Sequence, residues 1–288
     1  MALKPPIHRE DRGGVRSEFP EVSPPGAPGE GAAPTQKALR DRVGDIDTTD
    51  WEHVGPLHRQ MLRRNLRMFT LGKGALAEML ANLLSRRGSE FPDRAHELLA
   101  ESARRVREHY LIFRELLGHL GLDDSCLTDC PEARLIQQFF RGAGAEHLTE
   151  ADPKAPDQIA VVTLGYDAVL HAVGGATGYD AAMTMMQRND CLEDIRELMA
   201  ELRREDRARI EKTRAFLLER LAADDEVRRL LDSLFEQALL PSLEMIRTFR
   251  EHVDFVSIGL VPDEFVASAI DRFVEFAELT NAGSHPEA

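Results

Sequence analysis

Asp167 and His171 are the pair whose types and spacing point most directly to chemistry. They lie four residues apart in Ile159–Ala176, the most apolar stretch of the chain. On a helix, residues at i and i+4 face the same way. A carboxylate and an imidazole held together in apolar surroundings must be hydrogen-bonded or coordinated, because leaving either unsatisfied is costly. Three arrangements answer that demand: a core hydrogen bond between the two, metal ligation, or an acid–base pair in a cavity. His109 is a third candidate. It follows Val106 by three residues and precedes Phe113 by four, so it shares their apolar stripe. Asp206 is a fourth, four residues after Leu202, with Arg209 three further on. Groups placed this way cannot all reach water, so they are expected to converge on one another, on Arg209 or on a metal. If Arg209 pairs with Asp167 or Asp206, a buried cation neutralises the carboxylates and repels a metal.

Other polar groupings carry less. Glu97, Glu101, Arg104, Arg105 and Glu108 form an i,i+4 ladder of the kind that solvates a helix face. His53 and His58 flank Gly55–Pro56 and read as surface residues. Gly174–Gly178 has no Gly-Lys-Ser/Thr ending and so is no phosphate loop. Met183, Met185 and Met186 read as core packing. Cys126, Cys130 and Cys191 supply neither a disulfide framework nor a matched zinc-binding pair.

The elements that must position these residues are helices. Leu57, Met61, Leu62, Leu66, Phe69, Leu76, Met79, Leu80 and Leu83 recur at helical spacing and predict a helix over 56–86. Gly72 and Gly74 mark a kink. A second helix runs from Pro92–Asp93 to Gly121 on the stripe Leu99, Ala103, Val106, Tyr110, Phe113, Leu117 and Leu120. A short helix is expected over 131–141 and a loop over 142–157. A buried third helix spans 158–173 and is interrupted at Gly174, Gly175 and Gly178. Asp190 restarts a helix over 190–222. A further helix covers 225–253, bent at Pro241, and Pro262 opens one that ends near Leu279. Thr49 to Glu52 has the form of a capping box. Residues 1–47 hold seven of the fifteen prolines and read as a disordered tail, and 281–288 as a second. The domain then spans 48–280, an all-α bundle of four long helices plus short ones.

The stretch Arg107–Leu122, with the stretch Glu205–Ile210 followed by Leu217 and Leu218, resembles the ferritin-like superfamily. Within it the similarity is to the di-iron carboxylate oxygenases and oxidases, over about residues 50–280. That family takes one Glu from each of two helices and a Glu-x-x-His from each of two others, because i and i+3 share a helix face. The resemblance places His109 on the first histidine, Val106 on the glutamate before it, Asp206 on the second glutamate and Arg209 on the second histidine. Asp167 stands for the third helix's carboxylate and Glu78 for the first helix's. The resemblance thus implies Glu78, His109, Asp167, His171 and Asp206 as ligands of iron or manganese, and an oxidoreductase acting on a small organic substrate. Val106 and Arg209 depart from the motif, since neither donates to a metal. The alternative is a ferritin-like helical partner or accessory subunit without a metal.

The formal net charge of −14 excludes general nucleic-acid binding, and the arginine clusters alternate with acids at helical spacing. No leader-like apolar segment opens the chain, and Asp167, His171 and two glycines break the best membrane-span candidate. These features predict a protein of the reducing cytosol that binds no membrane; the resemblance implies a small-molecule substrate, or in its alternative a protein partner.

Overall fold

The computed structural model describes residues 36–122, 133, 134, 136, 155–235 and 256–281. They lie in one compact unit, Pro34–Ala288, and among them regular structure is helical throughout. The helices are α1 (Gln36–Asp45), α2 (Thr49–His53), α3 (Pro56–Arg87), α4 (Asp93–His119), α5 (Pro156–Val169), α6 (Ala176–Arg188), α7 (Glu193–Ala223), α8 (225–235) and α9 (Pro262–Asn281).

Order begins earlier than the expected boundary at residue 47. Leu39, Val43 and Ile46 recur at i, i+4 and i+7, and all three are buried. That stripe folds α1 against α4, where Arg40 pairs with Glu115, and Arg42 bonds Glu201 at 2.7 Å. The capping box at Thr49–Glu52 does not form; instead Asp47 Oδ1 accepts from the Thr49 amide at 2.8 Å.

Helix α3 opens on Pro56, where a missing amide hydrogen costs nothing, and continues through Gly72 and Gly74. Helix α4 closes with Gly121 at φ +64° and the Leu122 amide donating to the Leu117 carbonyl at 2.9 Å. This is the left-handed C-terminal cap that glycine favours.

The third long helix also differs from expectation. Gly174, Gly175 and Gly178 do not interrupt it; Leu170–Gly175 forms a π-helical segment that joins α5 to α6. The combined Pro156–Arg188 helix is therefore long and apolar enough to cross a membrane, but 72% of its apolar window is buried inside the protein. Asp190 does not start the next helix. It takes φ +47° at the end of α6, where the Cys191 amide donates to the Met186 carbonyl at 3.1 Å, and α7 begins at Glu193. The expected bend at Pro241, most of the 131–141 helix, residues 1–35 of the first proposed tail and 282–288 of the second lie outside the described residues; α9 extends to Asn281.

The apolar core has two parts. One gathers Leu76, Leu99, Val106, Tyr166 and Leu217, and the other Phe69, Ile112, Tyr179, Met185 and Leu202. On α3, α4 and α7 the residue between the two parts is polar and buried: Lys73, His109 and Asp206 respectively. A polar belt thus crosses the bundle between two apolar clusters.

Candidate functional site

The belt is built from α3, α4, α7 and the continuous Pro156–Arg188 helix. Helix α3 contributes Lys73, α4 contributes Ser102 and His109, and α7 contributes Glu205, Asp206 and Arg209. Asp167 comes from α5, His171 from the π-helical segment and Tyr179 from α6.

Two buried ion pairs dominate. Lys73 Nζ lies 2.5 Å from Asp206 Oδ2, with both side chains almost fully enclosed. Arg209 Nη1 pairs with Asp167 Oδ2 and also donates to Ser102 Oγ at 2.6 Å, while Ser102 in turn donates to Asp167. His171 Nδ1 is 2.8 Å from Asp167 Oδ1 and 3.0 Å from the Asp167 carbonyl. Its Nε2 lies 4.0 Å from Asp206 Oδ1. His109 spans the belt: Nε2 contacts Glu205 Oε2 at 2.9 Å, and Nδ1 lies 3.4 Å from both Lys73 Nζ and Asp206 Oδ1. Tyr179 donates to Asp206 Oδ2 at 3.3 Å. Its ring packs on Phe69, tilted by 34° at 4.4 Å between centroids, which holds the phenol against the belt.

The electrostatics follow from burial and pairing. Burial pushes the Asp167 carboxyl up, but Arg209 and His171 more than offset this and hold it well below the usual carboxylate range. Asp206 is likewise held down against burial, chiefly by Lys73 and then by the two histidines. Burial lowers the affinity of His171 for a proton, and Lys73 and Arg209 lower it further. Burial also lowers the Lys73 amine, with Asp206 opposing that shift and Arg209 reinforcing it.

Beside the belt is a cavity of about 70 Å³. Phe69, Gly72, Gly175 and Gly178 are among its walls, and Lys73 and His171 reach it from the belt. Gly178 packs closely on this wall: a Cβ there would stand 3.1 Å from Phe69.

The structure thus brings His109, Asp167, His171 and Asp206 together, as their stripes imply. It does not bring Glu78 to them. Glu78 lies two residues from both Leu76 and Leu80, which are fully buried, so it points away from the bundle and is exposed. The α3 residue in the belt is Lys73, set among Leu66, Phe69, Leu76 and Leu80 at alternating steps of three and four. Ser102 occupies the same kind of position between Leu99 and Val106. Both stripes are visible in the sequence once polar residues are counted as members.

No protein-family model matches the chain, and no curated protein sequence is significantly similar to it. Solved structures do share the fold. A variant of R2-like ligand-binding oxidase with an aerobically reconstituted Mn/Fe cofactor superposes with a TM-score of 0.65 at 12% identity, covering 85% of this chain and 91% of that one. A second variant, also aerobically reconstituted, gives 0.65 at 13% identity with the same coverage. The R2-like ligand-binding oxidase itself, aerobically reconstituted, gives 0.64 at 12% over 85% and 90%. The chain therefore has the ferritin-like helical-bundle fold, in the form those oxidases take.

The residues present do not fit the dinuclear centre that this fold implies. Among the described residues, no three His, Cys, Asp or Glu side chains are placed to share one metal ion. Val106 offers no donor, and each of the two buried carboxylates already carries a cation: Lys73 sits on Asp206, and Arg209 sits on Asp167. A divalent ion about 4 Å from one retained cation would meet roughly 8 kcal/mol of repulsion at an effective dielectric constant of about 20.

Proposed function

We propose that this chain is a metal-independent ferritin-like protein, an oxidase-type bundle turned to a binding or accessory role. The observation that carries this reading is the pair of buried salt bridges, Lys73–Asp206 and Arg209–Asp167. They place two fixed positive charges on the carboxylates that would otherwise attract metal. The belt's two buried carboxylates are then neutralised by cations without iron or manganese, and redox chemistry at a dinuclear centre has no seat. The cavity beside Lys73 and His171 leaves room for a small molecule, and this favours binding over a purely architectural role.

Metal content is the test. The full-length protein, purified after growth with ample iron and manganese, should carry neither metal in stoichiometric amount. About two metal ions per chain, the count of the dinuclear family, would overturn the proposal and restore the oxidase reading.

A further inference from the structure

The chain uses arginine for thirty-one of its thirty-six basic residues and lysine for only five. Against that preference, the cation that reaches the cavity is a lysine. Arginine would serve as well or better for pairing with a carboxylate, because its planar fork matches carboxylate geometry. An amine can do what a guanidinium cannot: give up a proton and act as a nucleophile. Lys73 is placed for this. Lys73 lines the cavity, and its Nζ lies next to Asp206 and 3.4 Å from His109 Nδ1. The same imidazole reaches Glu205, which is partly exposed, through its other nitrogen.

We propose that Lys73 binds small aliphatic aldehydes covalently and reversibly as an iminium in this cavity. The proposal rests on the metal-free reading, since a metal on Asp206 would displace the amine. The chemistry balances without an oxidant or reductant. Lys73 lends one ammonium proton to His109, and the nitrogen lone pair forms a bond to the carbonyl carbon. The carbonyl π pair moves onto the oxygen, giving a carbinolamine. That oxygen takes one proton from the newly bonded nitrogen and the lent proton from His109, the nitrogen lone pair forms the C=N bond, the C–O bond breaks and water leaves. Ammonium plus aldehyde has become iminium plus water. The positive charge stays on the nitrogen, so the pairing with Asp206 survives. The apolar walls and a volume near 70 Å³ select a short alkyl chain over a polar or bulky one.

The full-length protein is treated with about one equivalent of propanal and sodium cyanoborohydride, a ratio that favours the most reactive amine. The sites of propylation are then mapped by peptide mass spectrometry, and metal is measured on the same preparation. The expected result is a propyl group on Lys73 in metal-free protein. Lys73→Arg, which keeps the charge, should take up roughly tenfold less label in total. Gly175→Leu should reduce Lys73 labelling by a similar factor. A Cβ there meets nothing closer than 3.8 Å, so the backbone admits a side chain at this wall of the cavity. Label confined to other lysines in the wild-type protein would overturn the proposal with no variant needed. A native mass short by one water, with Lys73 already tied to Asp206 as an amide, would also overturn it. Two metals per chain would instead bring down the metal-free reading, and the proposal with it.

Discussion

Replacing Arg209 by methionine should expose the energetics of the belt. Arg209 is 4% exposed and Asp167 fully buried, so the substitution strands a carboxylate where no water reaches it. Breaking one side of a buried pair costs about 3–5 kcal/mol. For a domain of this size that is a fall in melting temperature on the order of 10 °C. The companion change, Asp167→Leu, should recover much of the loss. In the double variant His171 Nδ1 keeps the residue-167 carbonyl, which it already contacts at 3.0 Å, while Ser102 loses both its partners. One stranded hydroxyl costs about 1–3 kcal/mol. The double variant should therefore be more stable than Arg209→Met alone, with a coupling of about 2 kcal/mol or more. Urea melts followed by circular dichroism measure all four corners of the cycle. A loss below about 1 kcal/mol for Arg209→Met, or strict additivity in the double variant, would refute the claim that this ion pair stands in for a metal.

Three further outcomes follow from the structure. His171 binds its proton less readily folded than unfolded, so as pH falls below about 6.5 the unfolded chain takes up a proton that the folded one refuses. Stability should then fall with a slope of up to about 1.4 kcal/mol per pH unit, and His171→Gln should lack that component in thermal melts. Asp167 and Asp206, both held low in the folded state, contribute stability that is complete above about pH 4 and lost as pH falls further. Gly165→Val should destabilise by more than about 2 kcal/mol in the same melts, since even a Cβ would stand 2.6 Å from Leu231 Cδ2, where α8 crosses α5.

Much of this architecture is legible in the residues. The stripe from Leu66 to Leu83 fixes α3, and the positions of His109 and Asp206 among apolar neighbours fix their convergence. Lys73 and Ser102 are harder to see because an apolar stripe is traced through its apolar members, and these two fill its gaps. Glu78 enters from the ferritin-like ligand set, which asks for a glutamate on the first helix; the stripe alone excludes it, two residues off Leu76 and Leu80. Leu39, Val43 and Ile46 are a three-residue signal beside a proline-rich segment, too short to stand out without α4 to bury it. The run of glycines at 174, 175 and 178 reads as a break because glycine weakens a helix in isolation. Inside the bundle, contacts from neighbouring helices outweigh that preference.

The π-helical segment has a geometric consequence for the belt. Asp167 and Tyr179 are twelve residues apart, and in an unbroken α-helix they would project about 120° away from each other around the axis. A π turn absorbs one extra residue, which leaves the equivalent of eleven α-helical steps and a difference of only about 20°. Both side chains therefore aim at α7, Asp167 to Arg209 and Tyr179 to Asp206. The segment works as a phase shifter within a single rod. It lets the α5 half of the helix hold one ion pair and the α6 half brace the other.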